Sequence, residues 1–225
     1  MNEGPILAIE TSQSTCSVCV YFSDDKFYES NLNLKNSHAE KLFEMIDAIF
    51  KSCGIKPNEL SSIAVSSGPG SFTGLRIGMS AAKGIAYGSS LPIIPVPTFE
   101  ALALELSYFL PEGSKFVIAN KVNVEEIYFA KFQIKSNNYI FAENLNILTL
   151  DEFHLKINNE LVFGNTAASA PVGIRNNISS PGSFYVARWA KMFGDKFKTT
   201  SFDFLEPNYL KNFIVKDRKN DKKSF

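Results

Sequence analysis

Ser66-Ser67-Gly68-Pro69-Gly70-Ser71-Phe72-Thr73-Gly74-Leu75-Arg76-Ile77-Gly78 is the stretch on which the reading of this chain turns. A β-prone segment, Ser62-Ile63-Ala64-Val65, runs into it, and a helical pattern from about Thr73 to Tyr87 runs out. Strand, glycine turn, hydroxyl and helix start together suit a backbone that receives an anion. Free N–H groups at a helix N-terminus attract negative charge, and glycines admit close approach. The candidate anion or nucleotide loop is therefore Gly68, Gly70, Ser71, Thr73 and Gly74, with Glu10 at the end of the first strand. The same residues fit a tight strand-to-helix connection equally well. The loop has no lysine to hold β and γ phosphates, so it is not a Walker motif.

The helix behind the loop carries a second signal. Gly74, Gly78, Ala82 and Ala86 fall at four-residue steps, so one face is lined by small side chains. Glycine inside a helix costs about 1 kcal/mol relative to alanine, so two of them, Gly78 and Gly84, need a structural reason. A small-residue stripe lets another element approach closely. On spacing alone it is assigned to packing within the chain, with docking of another subunit as the second destination.

Around this centre the elements recur in order. Strands are expected at Pro5–Glu10, Cys16–Phe22 and Lys26–Leu34. A helix follows over Ser37–Cys53, opened by a Ser37–Glu40 capping box and striped by Leu42, Phe43, Ile46, Ile49, Phe50 and Cys53. Next come a strand at 62–67, the Thr73–Tyr87 helix, a strand at 93–96 and a helix opened by Thr98. From Lys115 the order restarts, with strands at Phe116–Asn120, Glu126–Ile134 and Asn138–Glu143, a helix at 150–158, a strand at 161–164 and a helix at Ser183–Phe193. Two βββαβ(α) units predict an α/β chain of two ribonuclease-H-like lobes with mixed sheets. The expected divisions are 1–110, a degenerate second lobe at 111–205, and a C-terminal segment at 206–225 that packs back and ends in a basic tail.

At 225 residues the chain can bury a substantial core. Its formal net charge of zero gives no bulk field toward nucleic acid or membrane. Locally, residues 211–225 hold six basic side chains against two acidic ones, a net +4, which suits either a solvated end or contact with tRNA phosphates. The start lacks a basic region followed by an apolar stretch, and no apolar run reaches membrane-spanning length, so a cytoplasmic location is expected. Cys16-x-x-Cys19 lies in an alternating strand pattern, where its odd offset puts the two thiols on opposite faces; a structural role is expected.

Catalytic inventories are thin. The only histidines are His38 and His154, and neither has a carboxylate in metal-ligand spacing. Ser71 and Thr73 have no adjacent base and no GxSxG elbow. No catalytic residue and no metal ligand is assigned.

These residues carry a resemblance. Ile6–Ser12, Ser37–Leu42, Ser67–Gly78, Pro97–Leu102 and Glu206–Lys211 together resemble the TsaB (YeaZ) family, closely over 1–105 and loosely over 110–205. The resemblance implies an actin-like (ASKHA) fold. It further implies a bacterial, non-catalytic subunit needed for N6-threonylcarbamoyladenosine at position 37 of tRNAs reading ANN codons. Such a subunit forms a heterodimer with the metal-bearing TsaD transferase, is joined by the TsaE ATPase, and meets tRNA through the complex. It binds no cofactor alone, with ATP or ADP left for the complex interface, and self-association stands open when the partner is absent. In the family the TsaD contact is a bundle of the first two N-lobe helices. The partner interface implied here is His38, Leu42, Phe43, Ile46, Gly74, Arg76, Gly78, Ala82 and Ala86. This reverses the assignment of the stripe, and bulky residues at Gly78 or Ala82 are expected to block the partner while the monomer folds.

One departure matters. Where many relatives carry Asp-Ala-Arg-x-x-Glu-Val-Tyr, this chain has Lys121-Val122-Asn123-Val124-Glu125-Glu126-Ile127-Tyr128, which puts a small-molecule site between the lobes in doubt. Two alternatives stand beside this reading: a small actin-fold ATPase or phosphotransferase using Gly68–Gly74, and a glycoprotease-like metallopeptidase, against which the histidine shortage argues.

Overall fold

The structure is a computed structural model that describes residues 4–33, 38–157, 159–166, 175–176 and 178–210. Ser37, with its expected capping box, and the basic run 211–225 lie outside the described residues.

The first sheet is built from β1 (Ile6–Glu10), β2 (Thr15–Ser23), β3 (Lys26–Asn33), β4 (Ser62–Gly68) and β5 (Ile93–Pro97), in the order β3-β2-β1-β4-β5. β1 pairs antiparallel with β2 and parallel with β4, and β4 pairs parallel with β5. The second sheet uses β6 (Lys115–Lys121), β7 (Glu126–Lys135), β8 (Asn138–Thr149), β9 (Leu161–Phe163) and β10 (Arg175–Asn176). Its order, β10-β9-β6-β7-β8, and its antiparallel and parallel pairings repeat the first sheet strand for strand. The chain is therefore an α/β protein of two ribonuclease-H-like units, as the element order predicts.

Helices α1 (His38–Cys53) and α2 (Phe72–Ser89) cover one face of the first sheet. Leu42, Met45, Ile46 and Ile49 of α1 meet Met79, Ala81, Ala82 and Ala86 of α2 over Leu7, Ile9, Val18, Val20, Ile63 and Val65. The alternate strand residues, Ile6, Ala8, Cys19, Tyr21 and Ala64, face the other side. There α5 (Ser183–Phe193) seats Val186, Ala187, Trp189 and Ala190. So α5, though it follows the second unit in sequence, closes the core of the first sheet. α3 (Thr98–Leu106) lies between the sheets, with Ala101 and Leu104 toward the first and Phe99, Leu102 and Leu106 toward the second. α4 (Leu150–Lys156) packs Phe153 on the far face of the second sheet, against Val117, Ala119, Phe129 and Val162.

The two units share a backbone detail. Each parallel inner strand runs into a glycine of positive φ: Gly68 (+112°) ends β4 and Gly164 (+121°) follows β9. A Cβ at Gly164 would stand 2.0 Å from the Ala119 carbonyl oxygen of β6. Real Cβ contacts do not come that close, so this turn requires glycine.

Candidate functional site

The glycine loop is drawn tightly onto the turn between β1 and β2. Ser71 N donates to the Ser12 carbonyl oxygen at 2.7 Å, and Gly68 N donates to Thr98 Oγ1 at 3.2 Å. Ser71 Oγ caps α2 by accepting from Gly74 N at 3.3 Å. A Cβ at Gly70 would meet Ser12 O at 2.5 Å, and one at Gly74 would meet Thr11 O at 2.0 Å. These glycines thus admit the chain's own backbone. Three of the N–H groups that would face an anion donate instead to protein oxygens.

Glu10 lies behind this junction, fully buried. Its carboxylate accepts from Ser12 N at 2.5 Å and from Ser66 Oγ. Burial pushes its pKa up to about 7, and the hydrogen bonds from Ser12 and Ser66 pull the other way. Of the loop residues, Ser71 and Thr73 are exposed, and Thr73 lines a groove between α1 and α2.

The small-residue stripe faces inward. Gly74, Gly78, Ala82 and Ala86 are all buried, and a Cβ at Gly78 would meet Thr11 Oγ1 at 2.3 Å, with Val65 and Ile9 just beyond. The stripe lets α2 sit close on the first sheet, as spacing alone suggests. It is not the surface presented to a neighbour. A bulky residue at Gly78 or Ala82 would disturb the lobe itself, so the folded-monomer expectation is corrected here. Leu42 and Ile46 are likewise buried under α1.

What α1 and α2 present outward is a groove of about 510 Å³, lined by Ala39 and Phe43 of α1 and by Phe72, Thr73, Arg76, Ile77, Ser80 and Ala81 of α2. Phe43 is 56% exposed, which removes it from the buried stripe that the helical spacing assigned to it. Of the nine expected interface residues, Phe43 and Arg76 open onto this groove. His38 begins α1, but its side chain is outside the described ones. Sequence reasoning missed Thr73, Ile77 and Ser80. A signal existed, because they recur at four and three on the face of α2 opposite the glycines.

The C-terminal segment borders the same helix. Asn208 N donates to Ser67 O at 2.6 Å, Lys83 Nζ to Asp203 O at 3.1 Å and Arg76 Nε to Tyr209 Oη at 3.2 Å.

Between the units, Asn165 Nδ2 donates to Gln13 Oε1 at 3.1 Å, while Asn165 Oδ1 accepts from Lys121 N at 2.7 Å. In the Lys121–Tyr128 segment, Asn123 Oδ1 accepts from Glu125 N and Glu126 N, and Asn123 Nδ2 donates to Glu126 Oε2. Asn123 thus closes a turn onto Glu125 and Glu126, while Lys121 N is held by Asn165 and Glu125 O accepts from Leu150 N at 3.1 Å. Tyr128 is buried in the core of the second sheet.

Cys16 and Cys19 are buried on opposite faces of β2, as the odd offset predicts, and burial pushes the Cys16 thiol up to about 11. Among the described residues, no group of three or more His, Cys, Asp or Glu could hold a metal ion. No helix among them is long and apolar enough to cross a membrane.

The chain is similar to known proteins in sequence and in fold. The family described as TsaD, tRNA N6-adenosine threonylcarbamoyltransferase, matches residues 33–139, which contain α1, α2 and α3. The tRNA threonylcarbamoyladenosine biosynthesis protein TsaB of Haemophilus influenzae is 27% identical over 93% of this chain and 94% of its own length. TsaB of Bacillus subtilis is 36% identical over 46% of this chain and 45% of its own length. A tRNA N6-adenosine threonylcarbamoyltransferase of Lacticaseibacillus casei is 44% identical over 26% of this chain and 17% of its own. Among solved structures, a Pseudomonas aeruginosa protein described by its similarity to peptidase YEAZ superposes with a TM-score of 0.77 at 20% identity, covering 92% of this chain and all of that one. YeaZ of the same organism superposes at 0.71, with 20% identity over 85% of this chain and 94% of that one. These two structures share the fold.

Proposed function

We propose that this chain, which belongs to the TsaB (YeaZ) family, is a non-catalytic subunit of the machinery that places N6-threonylcarbamoyladenosine at position 37 of tRNAs reading ANN codons. It acts by pairing with a TsaD-type transferase through the α1–α2 groove. A TsaE-type ATPase joins that pair, tRNA is met through the assembly, and any ATP or ADP lies at the joint interface.

One observation carries the reading. Phe43 and Ile77 line an apolar groove between two helices that lie within the span matching the transferase family. A transferase built on the same helix pair offers ridges of the same pitch, and two such pairs pack as mates around a shared apolar seam. The stripe supports this surface from behind, since it fixes the depth at which α2 sits on the sheet. The internal use of the loop's N–H groups and the enclosure of Glu10 also fit a subunit that performs no phosphoryl chemistry of its own.

The test is reconstitution. The chain is combined with the same organism's transferase, ATPase and threonylcarbamoyl-adenylate supply, and modified tRNA is assayed with each component omitted. Modification should collapse when this chain is left out. Full modification without it would refute the proposal.

A further inference from the structure

Asp203 to Tyr209 run as a strap along the side of α2 away from α1. Lys83 Nζ holds the strap at Asp203 O (3.1 Å), and Ser67 O holds it at Asn208 N (2.6 Å). Within the strap, Pro207 is buried. Between strap and helix lies a hollow of about 230 Å³, and Arg76 and Ser80 line both this hollow and the α1–α2 groove. Arg76 therefore stands on the ridge that divides the two.

The guanidinium of Arg76 is held from two directions. It lies 3.9 Å from the ring centroid of Phe72, and its Nε donates to Tyr209 Oη at 3.2 Å. The Tyr209 ring in turn packs on Phe72 with centroids 5.0 Å apart. An arginine at an interface normally loses side-chain freedom when it binds; one fixed beforehand avoids that cost, and its planar fork is already aimed. Tyr209 is 133 residues from Arg76 in sequence, so the arrangement depends on the strap.

We propose that Tyr209 is a positioning residue of the partner surface. The strap carries it to the rim of the groove, where it and Phe72 hold Arg76 in place to receive a carboxylate of the docked transferase. This rests on the groove being the docking surface, and it adds to that reading a polar anchor on the rim of an apolar seam.

Binding of the purified full-length chain to the transferase, measured at low and at high salt, tests it. Tyr209→Ala and Arg76→Ala should each weaken binding by about tenfold at low salt and flatten its salt dependence. The double variant should be no weaker than either single one. Tyr209→Phe, which keeps the ring on Phe72 but removes the acceptor for Arg76, should lose part of the salt dependence. It keeps the test open if the alanine variant does not fold. Binding by Tyr209→Phe and Arg76→Ala within twofold of the unaltered chain, or fully additive losses, would overturn the inference. A Phe43→Glu control separates the two readings. If it abolishes binding while the Tyr209 and Arg76 variants are silent, only the positioning role falls. If it too leaves binding unchanged, the groove reading fails with it.

Discussion

Thr11 and Gly74 are locked together: Thr11 Oγ1 donates to the Gly74 carbonyl oxygen at 2.8 Å, and a Cβ at Gly74 would stand 2.0 Å from the Thr11 carbonyl oxygen. The turn after β1 and the first turn of α2 thus touch backbone to backbone. That contact seats the glycine loop on the turn after β1. The loop brings α2 down onto the sheet, and the far side of the helix is left to form the groove.

Three glycines of one helix should therefore answer differently to the same substitution. Gly74→Ala should cost at least about 2 kcal/mol, because backbone must move. Gly78→Ala should cost less, since the obstructing atom is the Thr11 hydroxyl, a side chain at 2.3 Å. Gly84 has nothing within 4 Å, so Gly84→Ala should stabilise by about 1 kcal/mol through helix propensity. Urea unfolding of the three variants checks the order.

Glu10 should make stability fall with rising pH. Its pKa is raised by burial from the ordinary 4.5 to about 7, so across that window the folded chain holds a proton the unfolded chain has released. The stability this proton contributes is fully present below pH 4.5 and is lost as pH rises through 7; a shift of this size corresponds to about 3 kcal/mol. Glu105, raised to about 7 mainly by burial, adds to the same trend. Glu10→Gln should flatten the decline between pH 5 and pH 8 by roughly that amount, measured as denaturant midpoints across pH. An unchanged slope would contradict the burial argument.

The repeated sheet topology was legible in the sequence because strand length, turn residues and hydrophobic period are local. The alternation in Cys16-Ser17-Val18-Cys19 even predicts that the two thiols face opposite layers. What failed was direction. A small-residue stripe declares close packing, but Gly78 says nothing of whether Thr11 or another chain approaches. Phe43 follows the helical period of Leu42 and Ile46 closely enough to look buried, yet it stands at the groove. β10, only two residues long, offers no period to detect. Arg76–Tyr209 and Gln13–Asn165 join residues 133 and 152 apart, beyond any local pattern.

Isolated, the chain should hydrolyse no nucleotide above background. Ser71 N and Gly68 N are committed to Ser12 O and Thr98 Oγ1, and the loop carries no lysine. A phosphate-release assay with ATP and GTP checks this. Turnover that disappears in a Ser71→Ala variant would revive the phosphotransferase alternative.

The most direct test of the proposed docking surface is Phe43→Glu. Phe43 is 56% exposed, so the change should leave the unfolding midpoint nearly unaltered, within about 0.5 kcal/mol. It places an unpaired carboxylate in an apolar seam, which should weaken binding to the transferase by about a hundredfold or more. Measured by titration calorimetry, that loss with an intact fold is the predicted result. Transferase binding within twofold of the unaltered chain would contradict the account.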